Sequence, residues 1–251
     1  LTLKNTISQA DFQNILIPMA YKAFRPLHIL GKNRVFAAFN ISLIALIFGC
    51  AGCEKETPVK KLPIMGKRQV VEKEVNGILT KDTLYHTIAP FRFINQDSQW
   101  VDQRHFEGKV YIADFFFTTC PTICPIMKGQ MMRVYQAWLN HPEVAFISHT
   151  IDPERDSVPV LKKYAQTLGA DGKQWHLVTG ERSAIYETGL QQYLITVKED
   201  RNEIGDILHS SAFILVDQQR RIRGVYDGTS KEKVDQLIAD IGLLVTKNAV
   251  N

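Results

Sequence analysis

Apolar and polar positions alternate along this chain in blocks of strand and helix period. Residues 91–95 and 99–101 are two short alternating runs around Gln96-Asp97, the signature of a hairpin. Residues 109–117 (KVYIADFFF) form a nearly unbroken apolar run rich in aromatic and β-branched side chains, which predicts a strand buried on both faces. Over 125–140 the spacing changes: Ile126, Met127, Met131, Val134 and Trp138 recur at helical intervals. Strands are predicted again over 143–150 and 175–178, with helices over 157–168 and 181–190. Residues 211–216 and 222–226 flank Asp217-Gln218-Gln219-Arg220 as a second hairpin, and an amphipathic helix over 231–243 closes the pattern.

Strands alternating with helices imply an α/β domain whose mostly parallel sheet carries helices on both faces, with the late hairpin adding antiparallel strands. A strand, a cysteine pair at the start of a helix, further strand–helix units, a hairpin and a helix is the thioredoxin order. The expected fold is thioredoxin-like: a central mixed sheet flanked by helices, with an N-terminal β-hairpin extension.

Residues 35–48 (VFAAFNISLIALIF) are uncharged and mostly apolar, and they follow Lys32 and Arg34. A basic stretch, an apolar stretch and then small residues form a secretory signal, and the apolar run is shorter than the ~20 residues of a stable membrane span. The following Gly49-Cys50 resembles a bacterial lipoprotein signal, so Cys50 is the expected lipidation site and Cys53 the alternative. The domain is therefore expected outside the cytoplasmic membrane of a bacterium, as a membrane-anchored lipoprotein facing the periplasm. Initiation at Met19 would give a 31-residue signal, which makes residues 1–18 a candidate start-site artefact. The expected organisation is a signal region over 1–49, a tether with Pro58 and Pro63 over 50–85, and the domain over 86–247.

Charge then removes one class of function. The chain of 251 residues has a net charge of +4, but residues 1–49 hold five basic side chains against Asp11 alone. That leaves 25 of the 30 basic and 25 of the 26 acidic side chains in residues 50–251, a balance that does not suggest a nucleic-acid partner.

Cys120 and Cys124 lie between a predicted buried strand and a predicted helix, in the run TTCPTICP. Positions i and i+4 share a helical face, so both sulfurs can point at one spot. At a helix N-terminus, unpaired N–H groups and the macrodipole favour thiolate over thiol. Two such sulfurs suit a redox pair or a soft metal such as Cu(I), zinc or an Fe–S cluster. Three residues separate the cysteines where redox thioredoxins have two, and no proline follows Pro159. Just before strand 211–216 stands His209, an imidazole where a redox enzyme of this fold presents a cis-proline. Asp152 and Asp156 read as a strand-to-helix turn and as the cap of the next helix.

These stretches together resemble the Sco/SenC family, copper-binding thioredoxin-like factors for assembling cytochrome c oxidase. The resemblance rests on FFFTTCPTICP (115–125), TIDPERDSVPVLKKYA (150–165), WHLVTG (175–180), LHSSAFILVD (208–217) and RGVYDG (223–228). It implies that Cys120, Cys124 and His209 ligate copper as Cu(I) or Cu(II). It also implies that copper or electrons pass to the dinuclear copper site of oxidase subunit II, with a thiol reductant and a copper donor protein as further partners. Many relatives have an acid directly before the ligand histidine; here that residue is Leu208, with Asp206 two positions earlier. The competing readings are a membrane-anchored thiol–disulfide oxidoreductase using Cys120 and Cys124 as a redox-active disulfide, a peroxide-handling thiol protein, and a copper sensor.

Overall fold

In the computed structural model every residue of Val110–Phe116 is buried, which places this apolar run at the centre of the sheet as its composition requires. The structure describes residues 60–195 and 210–246. Cys50, Cys53 and His209, with the signal region, lie outside the described residues.

The strands, in chain order, are β1 (Arg68–Val75), β2 (Ile78–Tyr85), β3 (Arg92–Asn95), β4 (Trp100–Asp102), β5 (Val110–Phe116), β6 (Val144–Thr150), β7 (Trp175–Thr179), β8 (Ala212–Val216) and β9 (Ile222–Asp227). The helices are α1 (Ile123–Ala137), α2 (Val158–Leu168), α3 (Arg182–Glu187), which runs on through a π-helical turn at Thr188–Gln192, and α4 (Lys231–Thr246). Seven strands form one sheet in the order β4-β3-β7-β6-β5-β8-β9. β5, β6 and β7 are mutually parallel, while β3, β4, β8 and β9 join antiparallel, so the sheet is mixed with a parallel centre.

Strand alternation then sorts the core into two layers. Val110, Ile112 and Phe116 face one side, where they meet Met127, Met131 and Val134 of α1, Leu161 and Ala165 of α2, and Leu237 and Ile241 of α4. Tyr111, Ala113 and Phe115 face the other side, against Ile185 of α3, Tyr193, Phe93 and Ile88. Both cysteines belong to the first layer.

The predicted hairpin of residues 91–101 forms as β3–β4 and adds to the edge of the sheet through β7. The reading of residues 50–85 as a tether needs correction over its described part. Leu62 is buried in the first core layer. Arg223 fastens the chain there, donating from Nε to the Pro63 carbonyl at 2.9 Å and from Nη2 to that of Leu62 at 2.5 Å. Its Nη1 meets the buried carboxylate of Asp217 at 2.9 Å. Met65 N–H donates to the Ile222 carbonyl at 2.8 Å, and Lys60 pairs with the buried Asp240 at 2.8 Å.

After this strap, β1 and β2 form a two-stranded sheet of their own around Asn76-Gly77. Both turn residues have positive φ (54° and 78°), the geometry of the two-residue turn that Asn-Gly favours because it matches the strand twist. That dipeptide, between alternating runs, is the local signal that marks the hairpin in the sequence.

Leu62→Ala should therefore lower the free energy of unfolding by about 2 kcal/mol, through lost burial and the cavity left behind. Urea denaturation measures it; no change would mean that residue 62 is passive linker.

Candidate functional site

β5 delivers the chain to the first cysteine, and a buried carboxylate fixes where the chain goes next. Past Phe116 the backbone leaves the sheet, so the N–H of Thr118 loses its ladder partner and needs another acceptor. Asp156, 1% exposed, provides it: Thr118 N–H donates to Oδ2 at 3.1 Å. The hydroxyls of Thr118 and of Thr150, the last residue of β6, donate to the same carboxylate. The carboxylate thus binds the end of β5, the end of β6 and the approach to α2. Asp156 does not cap α2 as its position suggested; the N-cap is Ser157, and it makes no side-chain cap bond. Asp152 does lie in the turn, its N–H donating to Thr150 Oγ1 at 3.1 Å and its carbonyl accepting from Asp156 N–H at 2.8 Å.

Cys120 sits in the loop, its N–H donating to the Phe117 carbonyl at 3.3 Å, and Cys124 is the second residue of α1. Both are free thiols and both are buried, at 8% and 7% exposure. Thr122 is the N-cap but gives no side-chain bond to the first turn, so the N–H groups there are left for the sulfur. The Thr122 hydroxyl instead lies 3.8 Å from Cys120 Sγ.

The two sulfurs are electrostatically unequal. Burial pushes the Cys120 thiol up, but hydrogen bonds from the Cys124 thiol and N–H, and from the Thr122 N–H and hydroxyl, outweigh it and hold Cys120 below the usual cysteine value. Burial and the hydrogen bond to Cys120 push Cys124 up to about 12. Cys120 is the more readily ionised thiol of the pair, and Cys124 donates its hydrogen bond toward it.

Behind Cys124 a small cavity is lined by Asp114, Ser148, Met127, Lys128, Tyr164 and Trp175. Burial pushes the Asp114 carboxyl up to about 7, partly offset by a hydrogen bond from Ser148, whose oxygen accepts from Trp175 Nε1 at 2.9 Å. Sequence reading passed over Asp114 as part of the apolar run; its signal was a carboxyl in the middle of a strand whose other side chains belong inside.

The described histidines are engaged elsewhere. His86 Nε2 lies 2.7 Å from the Gln192 carbonyl, His141 pairs with Glu143, and His105 and His176 meet edge to face, with ring centroids 5.8 Å apart. His149 of β6 is enclosed by Phe91, Phe93, Phe115 and Tyr193, with neither ring nitrogen hydrogen-bonded.

Ser210, the residue that follows His209, is the first described residue on the way into β8. β8 runs antiparallel to β5, with Tyr111 opposite Val216 and Ala113 opposite Ile214, so the chain enters β8 from the end of the sheet at which β5 exits toward the cysteines. Ile123 and Ser210 line the same surface depression.

Two outcomes follow from this electrostatic picture. Iodoacetamide near neutral pH should modify the reduced protein at Cys120 well before Cys124, as read by peptide mass spectrometry; equal rates would contradict the asymmetry. Burial depresses His149 to about 3, so from pH 6.5 down to that value the unfolded chain binds a proton that the folded chain refuses. Stability at this residue is complete above pH 6.5 and falls by about 1.4 kcal/mol per unit as the pH drops. His149→Phe should remove that share of the acid sensitivity, as measured by urea unfolding at about pH 5 and about pH 7.

With the geometry in hand, comparisons with known proteins agree. The SCO1/SenC family profile matches residues 80–246. A SCO1 protein homolog from Bacillus subtilis is 34% identical over 167 residues, covering 66% of this chain and 86% of the homolog. The crystal structure of a SCO1/SenC family lipoprotein from Bacillus anthracis superposes with a TM-score of 0.57 at 30% identity, covering 64% of this chain and 95% of that one. BsSco, a member of the Sco family of cytochrome c oxidase assembly proteins in which a disulfide switch was identified, gives 0.56 at 32% identity, covering 64% and 94%. Bradyrhizobium japonicum ScoI, solved with copper bound, shares the fold at 22% identity, with a TM-score of 0.52 and coverage of 63% and 99%. The match runs from β2 to the last described helix, through the cysteine loop and its clamp, and this chain belongs to the SCO1/SenC family.

Proposed function

We propose that this protein is a membrane-anchored copper chaperone for cytochrome c oxidase assembly, holding copper as cargo at Cys120, Cys124 and His209. The observation that carries this reading is the pair of thiols, Cys120 in the loop and Cys124 in the first turn of α1, that hydrogen-bond to each other, one of them biased toward thiolate. Two sulfurs and one imidazole form a soft, low-coordinate donor set of the kind copper takes. The antiparallel entry into β8 at the end of the sheet where β5 exits, and the surface depression that Ser210 shares with Ile123 of α1, support His209 as the third ligand. Copper-bound ScoI and the oxidase-assembly role of BsSco point the same way.

In this reading copper enters as Cu(I) or Cu(II) from a donor protein and leaves by ligand exchange to the dinuclear copper site of oxidase subunit II. Asp156 holds the Cys120 loop in place during the exchange, so the sulfurs need not reorganise. A separate thiol reductant keeps both cysteines reduced in an oxidising compartment. The chain is held at the membrane through lipid on Cys50, or on Cys53, as the lipoprotein relative from Bacillus anthracis suggests; among the described residues no helix is long and apolar enough to cross a membrane. No nucleic acid has a place in this scheme.

A second reading, thiol–disulfide exchange at Cys120 and Cys124, is favoured by the same asymmetry, since an activated thiolate beside a protonated partner is also a nucleophile with its resolving thiol. The disulfide switch of BsSco accords with it.

Copper titration of the reduced protein separates the two. The chaperone reading expects one tightly held copper with a thiolate-to-Cu(II) charge-transfer band, both weakened in His209→Ala. Copper binding must displace the Cys124 proton, held up to about 12, so affinity should fall by about tenfold per pH unit for each proton released as the pH drops. No stoichiometric copper, or copper indifferent to His209, would move the assignment to thiol–disulfide exchange.

A further inference from the structure

The hairpin β1–β2 packs as a sheet of its own, and of its strand residues only Val71 and Thr83 are even half-buried. Large apolar side chains nevertheless gather on it: Val70, Val75, Ile78, Leu79, Leu84 and Tyr85 are all exposed. The most open are at the tip, where Ile78 is 66% and Leu79 72% exposed, beside Val75 at 46%. A lone two-stranded hairpin is marginal in water, and an apolar tip on one invites a partner.

We infer that this tip dips into the membrane surface that carries the chain's own lipid, with Val75, Ile78 and Leu79 entering the boundary between head groups and acyl chains. The inference rests on the lipid-anchor reading above. Three observations select a bilayer over a protein. First, the apolar tip residues lie on both faces of the hairpin. Val75 and Ile78 pair across the turn on one face, while Leu79, paired with Glu74, is on the other. A flat protein surface covers one face of a ribbon; a fluid phase surrounds both. Second, three side chains are far too few for a standing protein interface, which needs about 800 Å² from each partner, whereas shallow membrane contact scales with whatever apolar area is buried.

Third, reach favours the bilayer. Ten residues separate Cys50 from Lys60, where the strap docks to the domain, so the lipid lies no more than about 35 Å of chain from it. The hairpin leaves the same strap at Lys67, whose carbonyl accepts from His86 N–H at 2.9 Å, and its eight-residue strands extend about 26 Å. The hairpin is thus nearly as long as the chain that joins the strap to the lipid, and its tip is within reach of an apolar phase held at high local concentration.

The charges fit a shallow depth. Residues 75–79 carry none. Lys73 and Lys81 stand just behind the tip, where their stems can follow apolar surface while the ammonium groups meet lipid phosphate. Glu72 is opposite Lys81, and Glu74, opposite Leu79 and on the same face, limits entry on that side to the head-group boundary.

The test uses the full lipidated chain in vesicles of phosphatidylethanolamine and phosphatidylglycerol, carrying Leu79→Trp, with the unsubstituted chain as background for the native tryptophans. Flotation reads the lipid anchor; emission and quenching by acyl-brominated lipid read the tip. The expected result is a floating chain whose introduced indole is blue-shifted and quenched, with both signals lost in Leu79→Trp/Ile78→Asp although that chain still floats. A chain that floats while its indole emits as in water, unquenched, overturns the inference and leaves the anchor standing. A chain that does not float overturns the anchor reading and this inference with it.

Discussion

Strand β5 has to end at Phe116 if a cysteine is to stand off the end of the sheet, and ending it frees the half-buried backbone N–H of Thr118. The buried carboxylate of Asp156 accepts that N–H together with two threonine hydroxyls. An unpartnered buried donor or a buried unpaired carboxylate would each be costly, so the two satisfy one another only in the geometry that the cysteine loop adopts. The same bonds join the end of β6 and the entry to α2, and the loop is held by two neighbouring segments rather than by its own sequence.

From that anchored loop the electrostatics of the thiols follow. Cys120 accepts from the N–H groups of Thr122, the N-cap, and of Cys124 in the first turn of α1, and the Thr122 side chain makes no competing cap bond. Cys124 is packed into the core layer, next to a cavity that also holds Asp114. Hydrogen bonds bias one sulfur toward thiolate; the other holds its proton more tightly because it is desolvated and donates to the first. The two functions proposed, copper binding and disulfide exchange, would both draw on this inequality, and for that reason the proposed third ligand, rather than the cysteines, separates them.

The strap at residues 60–66 changes how the domain relates to whatever holds it. Arg223, itself neutralised by Asp217, grips two carbonyls of the strap, and Leu62 fills a core position. The free length between Cys50 and the folded domain is thereby shortened from the expected tether, and the hairpin that follows projects from the point of attachment.

Much of this was legible in the chain because it is local. The apolar run of β5, the helical spacing of Met127, Met131 and Val134, and the turn at Asp217 to Arg220 all reflect periodicities that backbone geometry imposes within a few residues, whereas Cys120, expected on a helical face with Cys124, lies in the loop before α1. Asn76-Gly77 was equally local and would have given the hairpin, had the charged residues around it not read as tether. Other features came only with the tertiary structure. The partner of Asp156 lies 38 residues earlier, at Thr118, and that of Arg223 lies 160 residues away, at Pro63. His149 became an aromatic-caged core residue, and Asp114 came to share a cavity with Cys124. Hydrogen bonding and desolvation depend on which segments the fold brings together, and a pattern with a period of two or 3.6 residues carries no record of that.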